Sequence, residues 1–278
     1  MEDAYFSAEA FDRNRILKQP EKEASGRAGK NAYYVLAMDV GRKGCDSVVV
    51  VIKVSPRSQD VSVKQVVNIY TFHDMHFEEQ AIRVKRLYHK YKARRLVIDG
   101  NGLGIGFIDY MVKSQIDPET NEFFEDFGIY NDTDKFYKKY QTDDCEQDAV
   151  YIIKANAPIN TEAFANLQTQ LSSGKIKFLE DERIAKTKLL GTKMGQTMSP
   201  EKRAEYLRPF TQTSILKEEM MNLKEENEGI NILLKRANRG IGKDKFSALV
   251  YGLYYIKTEE DSKKKKKRFV ASEWKFYN

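Results

Sequence analysis

Apolar residues in the first third of the chain lie in short runs bounded by turn residues. Near-continuous apolar runs occupy 33–39 and 47–54, and a third β-rich run occupies 61–72. Short connections join these runs, with glycines at 41 and 44 in the first and a proline in the second. Consecutive β-rich runs with short turns predict an antiparallel meander of three strands.

The pattern then changes to strands that alternate with helices. Apolar residues at helical spacing predict a helix over 77–92, and a short apolar run ending at Asp99 predicts a buried strand. A glycine-started helix over 103–113 and a strand over 149–155 follow. The remaining predicted elements are a helix over 160–174 capped by Asn160 or Thr161, short strands at 175–180 and 230–234, and a long helix that begins near Asp244.

This order of elements predicts an α/β fold: a mixed sheet with a three-strand antiparallel meander and parallel strands, flanked by helices. The predicted elements fall within residues 32–260, which we expect to form one domain. Residues 1–31 are polar and end in EASGRAGKN, a composition typical of a linker. Residues 261–278 contain five consecutive lysines and are expected to form a basic C-terminal tail.

The net charge of +6 comes from this tail alone. Lys263 to Lys267 and Arg268 carry six positive charges, so the other residues sum to zero. A lysine run is usually a solvated, disordered segment. The functional alternative is a flexible arm that binds a polyanion and releases its counterions.

Composition excludes several classes of site. No stretch approaches the roughly 18 consecutive apolar residues of a membrane span, and the N-terminus does not resemble a signal peptide. The two cysteines lack a CxxC spacing, and the chain has only three histidines. We therefore expect an intracellular protein without a zinc site, in which oxygen ligands would hold any metal.

Three aspartates stand at the ends of predicted elements. Asp39 and Asp99 each end an apolar strand and are followed by glycine within two residues, and Asp244 opens the last helix. If the first and fourth strands are neighbours, the three carboxylates share one rim of the sheet and repel one another. A divalent metal resolves this repulsion, and Mg²⁺ or Mn²⁺ suits a site of oxygen ligands.

Each acid also has a purely structural interpretation. Asp244 could cap its helix, and Asp99 could be an ordinary turn residue. Asp46, at the start of the second strand, could be an outer ligand of the same site or a turn residue. The coincidence of three acids favours the metal site. Basic residues flank them and are candidate phosphate contacts: Arg42, Lys43, Lys243 and Lys245.

Three segments, MDVGRKGCDSVVVV, LVIDGNGLGIGFIDYM and GKDKFSALVYGLYYI, resemble the acidic motifs of the nuclease domain of large terminase subunits, the DNA-packaging motors of tailed bacteriophages. The resemblance implies a ribonuclease H-like fold and an endonuclease that cuts concatemeric double-stranded DNA by two-metal hydrolysis. It also implies that Asp39 bridges two Mg²⁺ or Mn²⁺ ions, while Asp99 and Asp244 each complete one site.

The resemblance further implies a terminase small subunit and a portal as partners, and a location in the host cytoplasm at the viral prohead. A full large terminase also has an ATPase domain before its nuclease domain. No segment here fits GxxxxGK[ST] between a strand and a helix, so we expect this chain not to bind ATP. Residues 1–31 would then be the linker from a missing ATPase domain.

Two other functions are compatible with parts of the sequence. Actin-like or sugar-kinase-type phosphotransferases also carry an Asp-x-Gly motif, but those enzymes duplicate the fold and need a longer chain. A non-catalytic module that grips DNA or docks a capsid partner would suit the basic tail. Three acids on one rim argue against such a module, because they repel DNA unless metals are bound.

Overall fold

The computed structural model describes residues 4–25, 31–41, 44–57 and 62–273. The twelve strands are β1 (Arg15–Leu17), β2 (Tyr33–Asp39), β3 (Asp46–Pro56), β4 (Ser62–His73), β5 (Ala93–Asp99), β6 (Gln115–Ile116), β7 (Phe123–Phe124), β8 (Phe127–Ile129), β9 (Glu146–Ile153), β10 (Ile176–Leu179), β11 (Leu223–Glu228) and β12 (Asn231–Arg236). The eight α-helices are α1 (Ala8–Arg13), α2 (Phe77–Tyr91), α3 (Leu103–Met111), α4 (Ala157–Ser172), α5 (Glu182–Leu190), α6 (Lys193–Thr197), α7 (Pro200–Met221) and α8 (Asp244–Glu273). Within these ranges, no helix combines the length and apolar character that crossing a bilayer requires.

Eight of the strands form one mixed sheet in the order β1-β10-β4-β3-β2-β5-β9-β8. The meander of β2, β3 and β4 is antiparallel, as predicted. On its far side β5, β9 and β8 continue the sheet in parallel with β2. The predicted mixed α/β sheet is therefore confirmed, with β2 at the junction between its antiparallel and parallel parts.

The central strands are buried on both faces, which explains their near-continuous apolar sequences. Alternate residues of β2 point to opposite sides of the sheet. Val35 and Ala37 belong to a core shared with α4, α7 and α8, whereas Leu36 and Met38 belong to a core shared with α2 and α3. The sheet is thus the middle layer between two groups of helices.

Part of the segment expected to be a linker, residues 1–31, forms regular secondary structure. Residues 8–17 form α1 and β1, and β1 pairs in parallel with β10 at the edge of the main sheet. Phe6 and Phe11 are buried, and the ring of Phe11 stacks on Phe178 with centroids 4.2 Å apart. Sequence reasoning missed this because two aromatic residues within a charged segment give no periodic signal.

The C-terminal lysine run also differs from a disordered tail. Helix α8 continues without a break from the apolar segment through Lys263 to Lys267 and ends at Glu273. Lys263 Nζ lies 5.9 Å from the centre of the Tyr33 ring, so the first lysine of the run still contacts the domain. Residues 274–278 lie outside the described part of the chain.

Helix α8 approaches the sheet closely at one glycine. A Cβ atom on Gly252 would lie 2.6 Å from Ala37 Cβ and 2.8 Å from Ile52 Cδ1. Both distances are shorter than van der Waals contact, so only glycine allows α8 this close to β2 and β3. This close packing fixes the position of the whole helix relative to the carboxyl end of β2.

We predict that Gly252→Ala destabilises the protein by about 1–3 kcal/mol, because the added methyl group forces α8 away from the sheet. Thermal or denaturant unfolding measures the change. The matched control is Gly106→Ala in α3, where the added Cβ would meet its nearest neighbour, Phe77 Cε2, at an ordinary 3.4 Å. That variant is expected to be neutral or slightly more stable, since alanine favours helix. Equal unfolding midpoints for the two variants would refute the close-packing argument.

Candidate active site

The pairing of β2 with β5 places two of the predicted acids side by side. These strands run parallel, with Met38 opposite Ile98. Asp39 and Asp99 are the next residues, so both lie at the carboxyl ends of adjacent strands. The rim of the sheet at this end is the place where open α/β sheets bind their ligands.

Helix α8 brings the third acid to the same rim. It packs against β2 and β3 through residues that include Phe246 and Leu249 in the shared core. Asp244 is the first residue of this helix. The charges of Asp99 and Asp244 both act on Asp39, so the three acids expected from the sequence are brought together.

Glycines after the first two acids allow the backbone to fold tightly there. A Cβ on Gly41 would lie 2.3 Å from the carbonyl oxygen of Asp46, and one on Gly104 would lie 1.7 Å from that of Asp99. The turn after β2 is further held by Ser47, whose hydroxyl accepts a hydrogen bond from Gly41 N at 2.8 Å. The glycines next to the acids therefore have a structural reason, namely close backbone approach.

The electrostatics of the rim are dominated by crowded carboxylates. Burial raises the pKa of Asp39 to about 7, with further contributions from the negative charges of Asp244 and Asp99. Burial also raises the pKa values of Asp99 and Asp244. Lys243 opposes these shifts at all three acids without cancelling them. Without a bound cation, the rim thus favours protonated carboxyl groups.

Hydrogen bonds do little to compensate. Within the described ranges, no group donates to the carboxylate of Asp39 or Asp244, and Asp99 Oδ1 accepts from the backbone nitrogen of Asn101 at 3.0 Å. The oxygens of the three aspartates are not all within 4.8 Å of one another. Since Mg²⁺ binds oxygen at about 2.0–2.1 Å, a single ion could not contact all three as they stand.

Asp244 does not cap helix α8, although the sequence alone allowed that role. Glu219 of α7 accepts a hydrogen bond from Phe246 N at 3.0 Å and so caps the start of α8 in its place. Lys245 Nζ lies 3.5 Å from the other oxygen of Glu219. Glu219 is 2% exposed and Lys245 is 5% exposed, so this pair lies behind the rim.

The predicted phosphate contacts therefore divide into three groups. Lys243 is exposed and its charge reaches the three acids, as a phosphate contact requires. Lys245 is buried against Glu219, so its side chain does not lie where DNA could reach it. Arg42 and Lys43 lie outside the described residues.

Asp46, predicted as an outer ligand or a turn residue, pairs with a histidine. Its Oδ1 lies 2.8 Å from His73 Nδ1, and its charge also raises the pKa of Asp244. It therefore lies within electrostatic reach of the site, although its direct partner is His73.

Sequence reasoning missed Tyr251, a further residue of the rim. Burial raises its pKa, and the charges of Asp99 and Asp39 add to the shift. Its hydroxyl is 3.0 Å from Asn160 Oδ1. Seven residues separate it from Asp244, which is two helical turns along the same face of α8, so its spacing was an available signal.

No protein family model matches this sequence, and no curated protein matches it. Solved structures do match the fold. The chain is similar to the large terminase nuclease from the thermophilic phage G20c, in structures with bound magnesium and with bound cobalt. Each match has 12% sequence identity and a TM-score of 0.50, and covers 91% of this chain and 97% of that one. The chain therefore has the ribonuclease H-like fold of large terminase nuclease domains.

Proposed function

We propose that this protein is a metal-dependent endonuclease that cuts double-stranded DNA by two-metal phosphodiester hydrolysis. The observation that carries the proposal is the convergence of Asp39, Asp99 and Asp244 on one rim with raised pKa values. The three acidic motifs and the terminase nuclease fold support the same function. The similar nuclease was solved with magnesium and with cobalt bound, which supports a divalent cation as cofactor.

The residues at the rim fit hard divalent cations. They supply carboxylate oxygens, the ligands that Mg²⁺ and Mn²⁺ prefer, and they lack enough donors or cations of their own to offset the charge. Because one ion could not contact all three aspartates as they stand, the site suits two ions better than one. Asp39, Asp99 and Asp244 would hold the two ions, with Asp39 shared between them and Asp99 and Asp244 each completing one site.

Two such cations would generate the attacking hydroxide from water and stabilise the charge on the leaving oxygen. The chain's own residues hold the acids in place and orient the substrate. Gly41 and Gly104 let the turns after β2 and β5 close tightly, and Glu219 fixes the start of α8. Lys243 is the candidate for holding a DNA phosphate at the rim. Phosphate contacts position DNA without reading its bases, so we propose little sequence preference.

The biological setting follows by resemblance. We propose that the substrate is concatemeric viral DNA and that cutting accompanies genome packaging at the prohead in the host cytoplasm. A small subunit and a portal would be partners in the complete motor. The fold and the acidic motifs support this setting, whereas the cleavage chemistry rests on the rim itself.

We predict that the protein nicks or cleaves supercoiled plasmid with Mg²⁺ or Mn²⁺ and that EDTA abolishes cleavage. Asp39→Ala, Asp99→Ala and Asp244→Ala are each expected to reduce the rate more than about 100-fold, since outer-shell changes alone cost about 10–100-fold. The control is Asp12→Ala, which removes an exposed aspartate of α1 that pairs with Lys217. Full cleavage in EDTA would exclude the mechanism, and DNA binding without cleavage in either metal would favour the non-catalytic alternative.

A second prediction concerns the metal-free protein and pH. The pKa of Asp39 is raised from 3.8 to about 7 in the folded state, so the folded protein holds this proton more tightly than the unfolded chain does. Stability contributed by the protonated form is therefore lost as the pH rises from about 4 to above 7, by on the order of a few kcal/mol. Asp39→Asn should raise the melting temperature in EDTA at pH 8 and much less at pH 5.

A lower melting temperature of the Asp39→Asn variant would contradict this prediction. An Asp39→Asn variant that melts well below the wild type at pH 8 would show that the carboxylate has a structural partner. Saturating Mg²⁺ should stabilise the wild type at pH 8 and leave the variant less affected.

A third prediction separates the two lysines beside Asp244. Lys243→Ala should weaken DNA binding and reduce the salt dependence by about one phosphate contact. Lys245→Ala should instead destabilise the fold, because it leaves Glu219 buried without its cation. Lys90→Ala, an exposed lysine at the end of α2, is the control for both measurements. Unchanged binding and salt slope in Lys243→Ala would remove this residue from the DNA contact.

A further inference from the structure

A second group of metal-ligating side chains lies away from the rim. One ring nitrogen of His89 and one carboxylate oxygen each of Glu125 and Glu146 all lie within 4.8 Å of one another. His89 is in the last turn of α2, Glu125 lies between β7 and β8, and Glu146 is the first residue of β9. Three separate segments therefore contribute one ligand each.

This cluster is at the opposite end of the sheet from the acids. In β9 the strand runs from Glu146 to Ile153, and Ile153 is the residue paired with Asp99. Seven residues of strand at about 3.3 Å each separate the two positions by roughly 23 Å. The cluster is thus independent of the candidate active site.

Aromatic rings hold the imidazole of His89 in one orientation. It stacks on Phe124 with centroids 5.6 Å apart and an angle of 10° between the rings. Phe127 packs against it nearly at right angles, with centroids 5.8 Å apart. His89 Nε2 is buried and has no hydrogen-bond partner in the described part of the chain. A buried ring nitrogen without a partner is costly, and a metal ion would satisfy it.

The two carboxylates are also poorly compensated. Within the described ranges, Glu125 and Glu146 make hydrogen bonds through their backbones only, and neither carboxylate forms an ion pair. The buried Lys85 Nζ donates to the backbone carbonyls of Lys113 and Glu125, and its charge is shared between the carboxylates of Asp126 and Glu125. Two carboxylates and an imidazole nitrogen therefore lie within 4.8 Å of one another, an arrangement that a cation would stabilise.

We propose that His89, Glu125 and Glu146 form a metal site for one borderline divalent ion, and that Zn²⁺ is its natural occupant. One imidazole nitrogen and two carboxylates are a ligand set that zinc accepts, with water completing the coordination. An imidazole ligand disfavours Mg²⁺, which prefers oxygen ligands alone. The sequence, with only three histidines, predicted no zinc site. It could not reveal this cluster, because the proximity of α2 and β9 is a property of the fold.

The bound ion would crosslink three segments of the fold. It ties the end of α2 to the start of β9 and to the segment before β8, none of which is joined to another by a short connection. Metal that binds the folded state but not the unfolded chain stabilises the fold by mass action. The proposal does not rest on the nuclease function, and the two can fail separately.

The test uses a full-length variant with Asp39→Asn, Asp99→Asn and Asp244→Asn, so that the rim contributes no carboxylates. Zn²⁺ titration by calorimetry should show one site per chain, and Zn²⁺ should raise the melting temperature where Mg²⁺ does not. Co²⁺ should give visible d–d absorption that Zn²⁺ displaces. Adding His89→Gln or Glu146→Gln should weaken Zn²⁺ binding by at least about 10–100-fold and remove the absorption.

His76→Gln is the matched control, because it changes an exposed histidine at the other end of the same helix. It should leave Zn²⁺ affinity unchanged. Zn²⁺ binding that is absent, or that survives both ligand changes, overturns the proposal. If the triple variant does not fold, the same titrations in wild-type protein with saturating Mg²⁺ at the rim give the same two outcomes.

Discussion

The crowding of three carboxylates at one rim is the constraint on which the rest of the site depends. Parallel pairing of β2 with β5 leaves Asp39 and Asp99 no freedom to separate, and α8 adds Asp244 to them. Burial then raises the pKa of Asp39 to about 7. A protein that placed these acids for stability alone would surround them with donors, whereas here Asp39 and Asp244 have none among the described residues. Bound protons or cations would therefore stabilise this arrangement.

The position of α8 is what makes this crowding persist. Gly252 lets the helix lie against β2 and β3, and Glu219 caps its first turn while pairing with Lys245. Because Glu219 is buried and negative, it adds to the charge that acts on Asp39. The same residue therefore fixes the helix and increases the demand for a cation. This explains why a lysine next to Asp244 is turned inward, where its charge compensates Glu219.

Much of this could be predicted from sequence, because the relevant signals are local. The apolar runs of β2 and β3, and the glycines after Asp39 and Asp99, are visible in short windows. The edge strand β1 could not be predicted, since its partner β10 is about 160 residues away. The first turn of α4 was also misplaced: Asn156 is the cap, with its side chain accepting from Ile159 N, whereas Asn160 or Thr161 was expected. Lys245 was predicted to contact phosphate but is buried against Glu219. Neighbouring residues on a helix point in different directions, so its position next to Asp244 did not place it at the rim.

The two ends of the sheet offer different ligands and therefore suit different metal ions. The rim offers carboxylates in a partly open position, which suits a hard cation that keeps water and can bind phosphate. The other end offers a half-buried imidazole fixed by Phe124 and Phe127, which suits an ion that stays in place. EDTA removes both kinds of ion, so loss of stability in chelator does not by itself report on the rim. Because Mg²⁺ at the rim is also expected to stabilise the fold, the two ends are told apart by the substitution that removes each ion's effect, at Asp39 for Mg²⁺ and at His89 for Zn²⁺.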